Sequence, residues 1–238
     1  NEFTNLGKAV TSGLLEGAHI HQNYFHNYRS DAIFIAGQDI VIEDNVAVEP
    51  RPYTLPQGAG DHPDFIQGYA LKDAVIRDNF FRGEVSQGIF IHGKYVSGGQ
   101  RPNAGNVTIE NNIVYVGMRN ALFVNNLPGS TVDHNVVLEH DNALTYNVAV
   151  LDILGSLSMD MTVSNNISDG LSIRGEVPTG EVTLTNHVDA QRGNPAGAGY
   201  YGDLIVNGFA DELATPYDFQ LLPDALPGAS PRPGIDLS

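Results

Sequence analysis

Apolar and polar residues alternate along this chain in short runs, and the runs recur on one plan. The segments HIHQNYF, IVIEDNVAV, AVIRDNFF, VTIENNIV, STVDHNVV, MTVSNNIS and VTLTNHVD each bring an alternating strand to an asparagine and leave by a second short apolar stretch. The shared asparagines are Asn23, Asn45, Asn79, Asn112, Asn135, Asn166 and Asn186, spaced by 22, 34, 33, 23, 31 and 20 residues. The short spacings define a unit of 20–23 residues, and the long ones carry inserted loops. NEFTNL fits the same plan and makes Asn1 the repeat asparagine of an eighth unit, so the chain is expected to begin inside one.

A second strand follows each asparagine, reading AIFIAG, DFIQG, IFIHG, LFVNN, LDILG, LSIRG and LIVNG. Aligned, these give one column of Ile33, Asp64, Ile89, Leu122, Leu151, Leu171 and Leu204, and another of Ile35, Ile66, Ile91, Val124, Ile153, Ile173 and Val206. Residues i and i+2 of a strand share a face, so both columns point into one core. Between them run Phe34, Phe65, Phe90, Phe123, Asp152, Ser172 and Ile205, and further out Ala36, Gln67, His92, Asn125, Leu154, Arg174 and Asn207. No helix-length amphipathic pattern intervenes, which argues against βαβ units. Stacked strands at this period predict a parallel β-helix of seven to eight coils over residues 1–212. Asparagine suits the corner because it tolerates left-handed backbone, and stacked amides can hydrogen-bond along the stack.

From residue 213 the repeat gives way to a Pro-rich tail, YDFQLLPDALPGASPRPGIDLS, expected to cover the open edge of the last coil. Its Asp218, Phe219, Leu221, Ser230, Pro231, Ile235 and Asp236 resemble the closing segment of bacterial right-handed β-helix proteins. With its coil repeat, the whole chain resembles the right-handed parallel β-helix superfamily of pectate-lyase type, which includes polysaccharide lyases and alginate C5-epimerases. That resemblance implies a secreted, bacterial-type protein that binds an extended polysaccharide along a strand-lined groove and cleaves or epimerises it. DHPD, Asp61 to Asp64, shares the composition of the epimerases' acidic–histidine motif in a different order. No matching N-terminal cap is present, which suggests a single domain excised from a longer chain.

Charge narrows the partners. The net charge of −16 argues against nucleic acid, whose phosphates need a basic surface. An acidic glycan would need a local basic patch or bound cations. No apolar run approaches the roughly 20 residues that span a bilayer. With no cysteine, neither a disulfide framework nor a thiolate metal site is possible.

The candidate chemistry lies on the second-strand face, beside the insertions at 46–63, 94–106 and 138–149. β-Elimination or C5 epimerisation of a uronate needs a neutraliser for the carboxylate, a base for the C5 proton and an acid for the leaving oxygen or the opposite face. Neutraliser candidates are Gln67, Asn125, Arg119 or a bound Ca²⁺; base candidates are His92 and Lys94; acid candidates are Tyr69 and His62. Lys94, Arg101 and Arg119 concentrate positive charge, while Phe65, Phe90, Asp152 and Arg174 would line the sugar. Hydrolysis would use two carboxylates instead, with Asp64 beside Asp61 or Asp152. Asp64 interrupts an aliphatic column, so it is either a desolvated acid or a turn residue after Pro63. A coil that only presents a sticky face to carbohydrate is the non-catalytic alternative.

Overall fold

The computed structural model describes residues 1–52, 63–84, 86–94, 104–117, 120–140, 151–155, 159–175, 182–190, 196, 198–208, 215–223 and 225, without the side chains of 151, 152, 154, 155 and 175. The protein is all-β in these regions apart from two short helical turns, and its strands form an eight-stranded and a 13-stranded parallel sheet. Strand pairing divides the sheets into three ladders. The first ladder stacks Val10–Glu16, Ile33–Gln38, the start of Asp64–Arg77, Gln87–His92, Leu122–Asn125, Leu151–Gly155 and Leu171–Gly175. The second stacks His19–His21, Val41–Glu43, the end of Asp64–Arg77, Gly105–Glu110, Thr131–Asp133, Met161–Ser164 and Val182–Thr185. The eight-stranded sheet is the third, from Glu2–Thr4 through Phe80–Gly83 and Ile113–Val116 to Val188–Asp189. Each repeat visits the third, first and second ladders in turn.

Inward columns of all three ladders meet in one core. Ile33, Ile66, Ile89 and Leu122 come from the first, Ile42, Ile76, Ile109 and Val132 from the second, and Phe25, Ala47, Phe81 and Val114 from the third. Burying one such aliphatic side chain contributes about 1.5–3 kcal/mol, and the repeat multiplies this along the stack.

The register corrects one expected alignment. Ile66, not Asp64, lies opposite Ile33 and Ile89, and Gly68 lies opposite Ile35 and Ile91. The likeness of FIQG to FIHG suggests a register two residues off. A Cβ on Gly68 would stand 2.6 Å from Ile91 Cδ1 and 2.9 Å from Leu71 Cδ1, so Leu71 fills the room an aliphatic residue takes in other repeats.

The asparagines form a continuous relay. Nδ2 of Asn1, Asn23, Asn45, Asn79, Asn112 and Asn135 donates in each case to Oδ1 of the next, at 2.9–3.0 Å. From Asn23 onward the backbone N–H of each donates to that same oxygen at 2.9–3.2 Å. The left-handed corner falls one residue earlier than expected on Gln22, Asp44, Asp78, Asn111, His134 and Asn165, and on the expected residue at Asn186, with φ between 50° and 55°. Asn186 is therefore a corner residue bonded to Asn165 Oδ1 at 3.0 Å, and His187 takes the relay position. The asparagine is selected for its relay, since a buried amide left unpaired costs about 1–3 kcal/mol.

LIVNG is not a further strand copy. Tyr201–Leu204 is a helical turn, and Ile205 makes an antiparallel bridge to Leu221. The described residues of the tail lie on the outer face of the third ladder. There Tyr201, Leu204, Ile205 and Phe219 join Phe80, Ile113, Tyr115, Val136, Leu138 and Ile167 in a second apolar cluster. The cause is the composition of that ladder, whose outward row is apolar from Val46 through Phe80, Ile113, Val136 and Ile167 to Val188.

Candidate functional site

The first ladder presents two outward rows, each residue about 4.8 Å from the next along the stack. One runs Phe34, Gln67, Phe90, Phe123 and the Asp152 position; the other runs Ala36, Tyr69, His92, Asn125, the Leu154 position and Arg174. Gln67 thus lies beside Phe90 rather than in the row of His92 and Asn125, another consequence of the corrected register.

Aromatic rings tile the centre of this face. Phe90 and Phe123 stack with centroids 4.5 Å apart, and His92 meets Phe90 edge-on at 4.6 Å. Tyr69 stacks on the other side of His92 at 5.3 Å, and Phe34 follows at 5.7 Å. Such pairs add about 0.5–1.5 kcal/mol beyond area burial, so the rings are held before any ligand arrives. Asn125 Nδ2 lies 3.2 Å from His92 Nδ1, across the strand pair that puts the two residues opposite each other. His92 is only 8% exposed. Burial, assisted by the Lys94 charge, lowers its pKa to about 4, so the ring is neutral at neutral pH. Burial pushes the Tyr69 hydroxyl above its ordinary range, and the charges of Asp64 and Asp31 push it the same way.

Below this face lies an acidic pair that sequence reasoning found only in part. Asp64 begins its strand yet is fully buried, so it is not an exposed turn residue. Asp31, one repeat earlier, is its register partner: Ala32 N–H donates to Asp64 O at 2.9 Å, one residue before the pairing of Ile33 with Ile66. Desolvation holds the Asp64 carboxyl well above its ordinary range, Asp31 adds to the rise and Lys8 opposes it. Lys8 Nζ reaches Asp31 Oδ2 at 2.5 Å and stands 4.0 Å over the Phe34 ring. The signal was legible in KAV, DAI, DFI, QGI and NAL, which align a polar column of Lys8, Asp31, Asp64, Gln87 and Asn120 just before each inward strand.

Phe65 does not belong to the outer face. It is fully buried, stacked on Phe81 at 4.9 Å, and is a core residue because the strand has yet to settle into alternation at its first turn out of the corner. Arg174 is exposed in the row of His92, two strands beyond Asn125. Lys94 follows the His92 strand and is half-buried. His62, Asp61, Arg101 and Arg119 lie outside the described residues, as does the Asp152 side chain.

Charge is unevenly distributed. Of the chain's three lysines, Lys8 is paired with Asp31 before the first ladder, Lys72 is paired with Asp73 at 3.1 Å where Asp64–Arg77 passes to the second ladder, and Lys94 follows the His92 strand. Outward positions and corners of the second ladder instead carry Glu43, Asp44, Asp78, Glu110 and Asp133, with Arg77 held by Glu43 at 2.5 Å. Among the described residues no cluster of three or more histidine or acidic side chains could hold a metal ion, and no helix is long and apolar enough to cross a membrane. No protein-family model matches the chain, and neither does any curated protein or solved structure compared with it. The functional reading therefore rests on geometry and chemistry alone.

Proposed function

We propose that the chain is a right-handed parallel β-helix that binds an acidic polysaccharide along the outer face of its first ladder and acts on it by β-elimination or C5 epimerisation. The observation that carries this reading is the central patch: Tyr69, His92 and Asn125 on three adjacent strands, flanked by the Phe90–Phe123 stack. Ring faces suit the C–H faces of sugars, and the Lys94 cation beside His92 suits a uronate carboxylate in a chain that is otherwise strongly acidic.

In elimination, a base removes the C5 proton, the C4–O4 bond breaks as the C4–C5 double bond forms, and an acid protonates O4. In epimerisation, the same C5 proton is replaced from the opposite face. Lys94 and His92 are the base candidates. Tyr69 is the acid candidate, since its phenol, stacked on His92, carries a proton at neutral pH. A second reading, glycoside hydrolysis, draws on the buried register pair Asp31 and Asp64, which are stacked on neighbouring strands. Incubation with a panel of polyuronates and neutral glycans in deuterated buffer separates these. Ultraviolet-absorbing unsaturated ends identify a lyase, and C5 deuterium without cleavage identifies an epimerase. Reducing ends without unsaturation identify a hydrolase. Retention on an immobilised polyuronate without turnover identifies a binder and overturns the enzymatic reading.

A further inference from the structure

Asn125 was a candidate sugar ligand, but its amide is committed to another side chain. Its Nδ2 lies 3.2 Å from His92 Nδ1, and its Oδ1 is buried with no hydrogen-bond partner among the described residues. An amide nitrogen only donates, so Nδ1 must accept, and a neutral ring then carries its proton on Nε2. Turning the amide over would reverse this, but would bury two N–H donors where an oxygen now sits. An orphaned donor is rarer in native proteins than an under-satisfied carbonyl oxygen, which favours the orientation observed.

The surroundings keep the ring neutral and fixed. Tyr69 and Phe123 face it from the neighbouring strands and Phe90 from its own, and the charge that reaches it is the cation of Lys94. No carboxylate contacts either ring nitrogen among the described residues, so nothing beside Nδ1 favours an imidazolium.

We infer that Asn125 is a positioning residue that fixes His92 in the Nε2–H tautomer, making His92 the hydrogen-bond donor of the site rather than its base. The inference rests on the proposed action on uronates and assigns roles within it. His92 Nε2–H donates to the uronate carboxylate as negative charge builds up on it, Lys94 takes the C5 proton, and Tyr69 protonates the departing O4. A neutral imidazole donates to a developing oxyanion without first having to lose a proton.

The test is the tautomer itself, read by ¹⁵N NMR on histidine-labelled protein, with the His92 signals assigned by their loss in His92→Gln. The expected result is a protonated Nε2 and an unprotonated Nδ1 at pH 7. A proton on Nδ1 overturns the inference and leaves the uronate reading intact. Asn125→Asp supplies the second arm, because a carboxylate of the same shape can only accept. It should move the proton to Nδ1, raise the His92 pKa above its present value of about 4, and lower turnover on a polyuronate roughly 10²-fold, as loss of one oxyanion donor does. A merely structural asparagine predicts an unchanged tautomer in the folded variant, and that result would also overturn the inference. If the tautomer switches as expected but neither protein acts on any polyuronate, the uronate reading fails and the positioning role of Asn125 stands.

Discussion

The outer faces of the first and third ladders come from the same repeat and meet opposite fates. On the third, outward positions are Val46, Phe80, Ile113, Val136, Ile167 and Val188, and the chain covers them with its own Tyr201, Leu204, Ile205 and Phe219. On the first, the corresponding positions carry Phe34, Gln67, Tyr69, Phe90, His92 and Asn125, bordered by lysines. An aliphatic row offers a partner nothing but area, and the tail supplies that area from within the chain. Rings mixed with an imidazole, amides and a phenol offer directional contacts that an aliphatic tail cannot satisfy. The difference teaches that the ladder scaffold is neutral as to function. What each face does is decided by the one residue in two that points outward.

Breaking the two faces separately should give separable effects. The largest is expected on the first ladder. Lys94→Ala and His92→Gln should each lower turnover of a polyuronate by about 10²- to 10⁴-fold, the range associated with loss of a positioned proton-transfer group or oxyanion donor. Circular dichroism should be unchanged, and full activity in both variants would remove the proposed site. On the third ladder, Phe219→Ala should destabilise the fold by about 3–5 kcal/mol in urea titrations, as deletion of a buried phenyl ring does. Its turnover per folded molecule should stay at the wild-type level; a loss would tie the tail to the chemistry and blur the contrast between the faces.

Dependence on pH sharpens the comparison, because the two faces carry shifts of opposite consequence. The pKa of His92 falls from 6.5 to about 4, so below pH 6.5 the unfolded chain binds a proton that the folded chain refuses. Stability from this group is complete above pH 6.5 and is lost as pH falls towards 4. Asp169, which accepts from the Tyr201 hydroxyl and from Glu139 N–H at 2.5 Å each, is raised by burial from 3.8 to about 7. Its contribution is present below pH 3.8 and is lost as pH rises through 7. Urea midpoints measured from pH 4 to 8 should therefore fall less steeply on the acid side in His92→Gln and less steeply on the alkaline side in Asp169→Asn. Identical profiles for both variants and the wild type would contradict the two assignments. The smallest effect is expected from Phe90→Ala, which removes a partly exposed ring at about 0.5–1.5 kcal/mol of ring–ring contact and should weaken glycan retention more visibly than stability.

Much of this contrast was legible in the letters. The asparagine spacing and the alternation of VTIE, STVD, MTVS and VTLT mark a ladder with one wet face. FFRG, IVYV and VVLE are apolar at consecutive positions, the mark of strands buried on both sides, so the covering of the third ladder was also there to be read. What escaped was register. The shared letters of FIQG and FIHG outweighed the polar-then-apolar corner signal of DAI and DFI. That misplaced Gln67, set Phe65 in line with Phe34 and Phe90, and hid Asp31. A two-residue slip preserves inward and outward parity, so periodicity alone cannot detect it; only the volume argument at Gly68, where Leu71 fills the space, exposes the error. The left-handed corner was assigned to the relay asparagine for a related reason, since both neighbouring positions favour asparagine or aspartate.

The central claim is that the first ladder's outer face receives an acidic glycan, and backbone NMR during titration with a short oligouronate tests it most directly. The account predicts that the resonances that move are those of Gln67, Tyr69, Phe90, His92, Phe123 and Asn125, while Val46, Ile113 and Val136 on the third ladder and Thr108, Thr131 and Thr162 on the second stay still. Shifts confined to the second or third ladder, or none at saturating oligouronate, would contradict it.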